Sequence, residues 1–297
     1  MAIAAGAASV GRGGALGVKV GAGSNLYLPI SSYQSSVSSG KEVLDLINNA
    51  AYPVNESDGL ALGSFSFNTP LIAGVETASL LTSLFLSASG DTDAGNYSVL
   101  TFYPDAAGTP AEVHGQCKFS SLTGSLQFST SGAASAFVLG MSGIIIDPFS
   151  GSAVAASAPS AGAISTGRVL NYAQSVISGA SNVVGVSFQV LTGAIPTPGV
   201  QTGTGNALYP LLCAGALLTG LTGTVTVTQL RSAGTVLTSA GTLTVTVGTT
   251  GAGLSFAFKL LPLSVRRPSS LGLLYMQSSY MLKSTDGTTS PLVTSAL

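Results

Sequence analysis

His114 is the only histidine in the chain, and it stands three residues before Cys117 inside an alternating run. A Ser-His-acid or Cys-His relay would have to use it, since such relays need an imidazole that takes and returns a proton. No nucleophile elbow accompanies it: residues 140–143 read GMSG, not the G-x-S-x-G that turns a strand sharply into a helix. The commoner role for such a histidine is on a sheet face or an interface, and no enzyme is expected. Two cysteines and one histidine fall short of the three or four ligands of a zinc site, so no metal and no cofactor are expected. Asp91, Asp93 and Asn96, with Gly90 and Gly95, resemble a calcium loop without its closing acid. GRGGALG, residues 11–17, has dinucleotide-like glycine spacing, but no strand precedes it and no ribose-binding acid follows. Arg266 and Arg267 are an adjacent basic pair that suits a solvated turn, acids on a neighbour or a phosphate backbone. The abundant Ser and Thr read as turn and strand filler.

Composition narrows the class. Charged residues make up 7% of the 297, against about 25% in an average globular chain, while 45% are apolar. A free monomer keeps a mixed, charged surface for solubility, so this surface is expected to be covered by copies of the same chain. Disorder needs low hydrophobicity with high net charge, and the net charge is −1. That near-neutral balance also argues against a dedicated nucleic-acid binder, which would carry a basic stripe. No run approaches the length of strongly apolar residues that a transmembrane helix needs, so membrane insertion is not expected. The start, MAIAAGAASVGRGG, lacks the basic region and apolar core of a signal peptide and reads as a flexible arm. Cys117 and Cys213 are too few for a disulfide framework and read as small buried hydrophobes.

The elements that must position these residues are strands, and they recur. Residues 122–146 and 239–265 are each two alternating runs joined by a Gly/Ser/Thr turn, with Phe137 and Phe256 119 apart (256 − 137). Upstream, GSFSFNTPLI from Gly63 and GVSFQVLTGAIP from Gly185 are 122 apart (185 − 63). Two landmarks at nearly one shift predict a β-rich unit present twice. The expected fold is mainly β: two tandem β-sandwich domains, each with a flanking α-helix. Residues 1–25 form the arm, 26–149 the first domain and 150–165 an Ala/Ser/Gly/Pro linker. Residues 166–267 form the second domain, and 268–297 a C-terminal extension suited to contact between subunits.

Within the first unit, 26–30 predicts an edge strand, the serine-rich 31–39 a loop, 41–49 a short helix and 52–59 a polar turn. Residues 64–67 predict a strand, and 73–86 a helix with Val75, Leu80, Leu84 and Phe85 near one stripe. Residues 97–103 and 113–119 form a hairpin around PDAAGTP. In the second unit, 169–177 fits helix or strand, 184–191 a strand, 196–205 a loop and 207–218 the counterpart helix. Residues 222–230, 242–247 and 256–265 alternate with high β-propensity.

This order of elements resembles that of long-tailed, siphovirus-like bacteriophage tail tube proteins, whose fold is a β-sandwich flanked by a helix. The stretch that carries it is 52–146: a polar loop ending in Ser57-Asp58-Gly59, a strand from Gly63 to Phe67, the helix at 73–86, a hairpin, and a final pair whose small-residue turn precedes Ile144. The same order, without Ser-Asp-Gly, runs from 184 to 265. The resemblance implies a major tail tube subunit stacked as rings into a hollow conduit. A duplicated chain would close each ring from three subunits with pseudo-sixfold symmetry. It implies as partners other copies, tail proteins such as the tape measure and terminator, and double-stranded DNA passing without specific binding. It implies a place in the virion tail after assembly in the host cytoplasm. It further implies lumen-facing acids, with Asp105, Glu112 and Asp147 as candidates, and contacts between rings, with Arg12, Lys19, Arg266 and Arg267 as candidates.

Assembly is also expected on physical grounds, because an open sandwich with little edge charge invites pairing between copies, and a closed ring removes the edges. The alternative is a viral capsid protein of jelly-roll type, which needs no helix at equivalent points of both copies. A secreted adhesin or surface-layer module would need an export signal.

Overall fold

Apolar residues alternating with Ser, Thr and Gly favour pleated strands that bury every second side chain. That pattern dominates the computed structural model, which describes residues 14–21, 25–44, 55–71, 97–104, 109–128, 136–148, 153–155, 169–201, 211–218, 220–230, 240–248, 253–267, 269–270, 273–287 and 289–297. The protein is mainly β. The first half of the chain holds β1 (Ala15–Val20), β2 (Asn25–Pro29), β3 (Ser32–Ser38), β4 (Lys41–Leu44) and β5 (Asn55–Asp58). It continues with β6 (Leu60–Pro70), β7 (Ser98–Tyr103), β8 (Glu112–Gln127) and β9 (Val138–Asp147). The second half holds β10 (Ser175–Ser178), β11 (Val183–Leu191), β12 (Ala194–Gln201), β13 (Leu211–Leu218) and β14 (Thr222–Leu230). After these come β15 (Gly241–Val247), β16 (Leu254–Arg266), β17 (Ser269–Ser270), β18 (Leu273–Leu282) and β19 (Leu292–Ala296). Among the described residues the one helical element is a 3-10 turn, Tyr172–Gln174, capped by Asn171.

Eight strands follow one another by antiparallel pairing in the order β3–β6–β9–β8–β11–β14–β18–β16. β8 joins the halves. Its first part pairs with β7 and its last part with β11, while β9 runs along its other edge. Register shifts at Gln116/Cys117 and Phe119/Ser121 fall between those two parts, where bulges let a long strand bend. From β7 the sheet continues through β1 to β2. β16 repeats the device, with β15 on one edge and β19 then β18 on the other.

The inner faces bury one continuous core. In the first half Phe119 meets Phe65 and Phe67 edge-on, with ring centroids 5.0 and 6.1 Å away. A second aromatic cluster joins Phe137, Phe188, Phe256 and Phe258; Phe137 and Phe256 touch edge-on at 5.8 Å. Cross-strand glycines make room for two of these rings. Phe65 lies opposite Gly143 and Phe188 opposite Gly124, where an added methyl would meet the ring.

Several segments differ from expectation. Residues 32–38 are strand β3, not loop: their serines alternate with Tyr33 and Val37, and Asn68 Nδ2 of β6 donates to Ser32 Oγ at 2.9 Å. The helix expected from residue 41 is, over Lys41–Leu44, a strand hairpinned to Asn55–Asp58, so cross-strand pairing overrides a local helical period. At the base of this hairpin Gly40, between β3 and β4, has φ of 71° and no room for a side chain against Gly59. Instead of a loop at 196–201 and a helix at 211–218, β12 and β13 pair with each other. A short apolar run such as LLCAGALL fits either state until a partner strand is present. The arm is expected to be flexible, but Ala15, Leu16 and Val18 of β1 are buried between β2 and β7. Residues 273–282 and 292–296, expected in an extension, pair as β18 and β19 with β14 and β16. In the expected linker, Val154 is buried and its N–H donates to Thr101 Oγ1. The two hairpins of the repeat are both present. Its upstream strands are not equivalent, because β6 pairs with β9 whereas β11 pairs with β8 and β14. The helix expected at 73–86 lies outside the described residues, as do Asp91, Asp93 and Asn96.

Candidate functional site

The eight-stranded sheet turns its second face away from the core, and register decides what that face carries. Residues opposite one another in a ladder share a face. One row across the sheet is therefore Ser125–Ser187–Thr226–Ser279–Ser264, on β8, β11, β14, β18 and β16. The next is Ser32–Asn68–Gly140–Thr123–Gln189–Thr224–Met281–Leu261, from β3 to β16. Hydroxyls pair between strands, as in Ser121 Oγ with Ser142 Oγ at 2.7 Å and Thr226 Oγ1 with Ser279 Oγ at 3.5 Å. Strands β3, β6, β11, β14 and β18 contain no charged residue at all. The result is a broad, charge-poor face of hydroxyls and amides, on which register and alternation also place Lys118, opposite Ile144, and Lys259, two residues before Leu261. It dips at Gly185, between Gln127 and Thr228, into a cleft of about 450 Å³ that Gln277 also lines.

Toward the β3 end this face is partly covered. The β12–β13 hairpin packs on β9, burying Ile146, Cys213 and Ala216 against Leu62, Tyr97 and Ile144. The Tyr97 hydroxyl accepts from Ala216 N at 3.0 Å, and Lys118 Nζ lies 5.0 Å from the centre of the Tyr97 ring.

Both ends of the row of eight are open. Among the described residues β3 pairs only with β6, and the Leu261–Arg266 part of β16 pairs only with β18. Leu263 and Val265 on that part are 50% and 49% exposed, unusual for apolar residues beside unpaired backbone.

The candidate residues fall in several places. Glu112 opens β8 and faces β3 across the core: its Oε2 accepts from Ser35 Oγ at 2.5 Å and Tyr33 OH at 3.2 Å, with His114 Nε2 at 3.3 Å. Tyr33 stacks on Phe102 at 4.6 Å, and its phenol is pushed up by burial and then by the Glu112 charge. In a Ser-His-acid relay the histidine lies between the other two; here the carboxylate does, so Ser35 gains no base from His114. The cluster ties two strands together. Asp147 is buried at the end of β9, opposite Gln116. Neither carboxylate lies on the charge-poor face, and Asp105 and Arg12 lie outside the described residues. Lys19 is half-buried in β1 opposite Asn25 and Val99. Arg266 and Arg267 are exposed at the end of β16. Cys117 and Cys213 are buried thiols, the former pushed well up by burial and then by the Asp147 charge, which holds it unreactive.

Among the described residues no group of three His, Cys, Asp or Glu could hold a metal, and no helix is long and apolar enough to cross a membrane. The charge-poor face escaped sequence reasoning because serines scattered over eight strands become a surface only through register. No family model matches the chain, and no curated protein does.

Proposed function

We propose that this chain is a structural, self-assembling virion protein: the tail tube subunit of a long-tailed bacteriophage, closing rings that stack into a conduit for DNA. The observation that carries this reading is the open, eight-stranded antiparallel sheet with a charge-poor face. An even number of strictly antiparallel strands leaves edge strands that run in opposite directions. Because one row sets Ser32 level with Leu261, a second copy presents its β3 antiparallel to the free part of β16 when it is also shifted along the strands, as in a ring whose strands tilt to the axis, and closure then removes both edges. The halves contribute four strands each, β3, β6, β9 and β8 against β11, β14, β18 and β16, and on this reading each set belongs to one of two tandem units that share a single sheet and core. Three copies then make a pseudo-sixfold ring. A lumen lined by hydroxyls and amides offers phosphates few cations and releases few counterions, so DNA passes without being held. Other copies, tape measure and terminator proteins are its partners, in a tail assembled in the host cytoplasm.

A jelly-roll capsid protein is the second reading, favoured by one observation: residues 211–218 form a strand where the tube pattern expects a helix. Negative-stain electron microscopy of purified protein, averaged end-on without imposed symmetry, separates the two. Hollow rings of three subunits are expected. Closed shells would move the assignment to a capsid, and a monomer at every concentration would overturn both. Val265→Lys, at an exposed edge position, should block ring closure while changing monomer stability by no more than about 0.5 kcal/mol.

A further inference from the structure

Two residues along each strand from the row of Ser125, Ser187, Thr226 and Ser279, the open face carries Gln127, Gly185, Thr228 and Gln277, opposite one another on β8, β11, β14 and β18. Gly185 leaves a gap in that row, and the cleft of about 450 Å³ opens over it. The volume falls within the range of small-molecule sites, about 300–1,000 Å³. A bulge widens the gap, since β11 carries Val184 as an extra residue between Val183 and Gly185 in its ladder with β14. Bulges re-aim side chains, and here Val184 lines the cleft beside Phe128, whose N–H donates to the Val184 carbonyl at 2.8 Å.

The fold does not need a glycine at this point. Gly185 has no left-handed φ, and a methyl added to it would stand 3.6 Å from Gln127 Cγ and 3.7 Å from Thr228 Cβ, ordinary contact distances. Gly124 and Gly143, on the neighbouring strands, differ: there a methyl would come within 2.4 Å of the Phe188 ring and 2.2 Å of the Lys118 carbonyl. A glycine inside a strand weakens it, and one that neither backbone nor packing requires marks a place where something else approaches.

The lining says what that is. Gln127 and Gln277 bring carboxamides, and Ser187 and Thr228 bring hydroxyls. None of these four side chains hydrogen-bonds to another described residue, whereas elsewhere on the face hydroxyls pair, as Ser121 does with Ser142. Phe128 is 55% exposed and is held edge-on by Tyr172 at 5.5 Å, and Tyr275 adds a second aromatic side chain. A fixed, exposed ring offers contact area at little cost in entropy. No charged side chain is among the described residues that line the cleft.

We propose that the Gly185 cleft binds a neutral oligosaccharide. Each sugar hydroxyl both donates and accepts, as carboxamides and hydroxyls do, and the C–H face of a pyranose packs on an aromatic ring. A peptide adding as a strand finds no free ladder here, because β11 and β14 are paired along both edges. A nucleotide would place its phosphates where no cation lines the cleft, and a wholly apolar ligand would bury four polar side chains without partners. The inference goes beyond the tube reading and does not need it. The cleft is open in the single chain, and in a closed ring it would open on the lumen, which a small sugar enters from the ends.

The test is saturation-transfer NMR of the full chain with maltotriose, cellotriose and chitotriose as probes. At least one should bind with Kd on the order of millimolar, as suits an open site with few hydrogen bonds. Gly185→Val fills the gap with a residue that favours strands, so binding should weaken about tenfold or more with no fall in melting temperature. Phe128→Ala, at an exposed position, should weaken it about tenfold and keeps the test valid if the valine disturbs the fold. Silence from all three probes overturns the proposal, as does binding that Phe128→Ala leaves unchanged, or a signal from glucose 6-phosphate alone. Electron microscopy of the same protein keeps the two readings apart: rings without sugar binding overturn only this site, and sugar binding without rings overturns only the tube.

Discussion

The hairpins β8–β9 and β15–β16 share a sequence pattern and a shape, yet their outer edges meet different partners. Along β9 lies β6, from the same half of the chain. Along β16 lie β18 and β19, from the last part of the chain. The strand that matches β6 in sequence, β11, instead joins the first half through β8. A hairpin is a local event, because its turn and its alternation lie in one short stretch. The neighbour on its edge is chosen by which apolar faces can be buried together. One consequence is a single core in which Phe137 of the first hairpin touches Phe256 of the second.

That contact is the strongest place to break the comparison. Both rings are fully buried and both border Phe188. Phe137→Ala and Phe256→Ala should each cost about 3–5 kcal/mol. The double variant should cost less than their sum, because neighbouring cavities share the contacts they remove. Urea unfolding of the four chains measures this, and strict additivity would mean that the hairpins are energetically separate.

Glycine substitutions sharpen the comparison between the seam and the interior of the first half. A methyl at Gly143 would meet both the Lys118 carbonyl oxygen and the Phe65 ring, whereas at Gly124 it would meet the Phe188 ring. Overpacking costs about 1–3 kcal/mol. Gly143→Ala should fall at the upper end and Gly124→Ala at the lower, since a ring can swing and a ladder carbonyl cannot. Equal shifts in unfolding midpoint would show the seam to be as rigid as the interior.

The smallest effect separates two tyrosines. Tyr33 is pushed up by burial and by Glu112, and Tyr172 in the second half by burial alone. For each, the fold holds the neutral phenol. The stabilisation is complete below the unfolded tyrosine value of about 10 and is lost as pH rises from there through the folded value. Tyr33→Phe should cost about 1 kcal/mol at neutral pH through its lost hydrogen bond. Above about pH 10 the wild-type melting temperature should fall toward that of the variant, and more steeply than in the same comparison for Tyr172→Phe. Parallel curves for Tyr33→Phe and wild type would remove Tyr33 from the alkaline response.

Strands with strong alternation are legible in the sequence: β6, β8, β9, β11, β14, β15 and β16 all lie where apolar residues alternate with Ser, Thr or Gly. The weaker ones were not. β3 looks like a loop because its serines satisfy no composition rule for strands, and β4 and β13 have helical spacing too short to decide. Glu112 and Asp147 were visible as rare acids, but their surroundings were not, because Tyr33 and Ser35 reach Glu112 from a strand far away in sequence.

The amino-acid sequence by itself determined that this is a strand-rich, charge-poor chain with two similar hairpins and one histidine. Those properties follow from composition and from a period of two, which are local. Only the tertiary structure decided that β8 and β11 meet, that eight strands share one charge-poor face, and that β3 and β16 are left at its ends. The reason is physical: alternation tells each strand which face to bury, but the partner and register depend on burial and hydrogen bonding between segments that the chain does not place side by side.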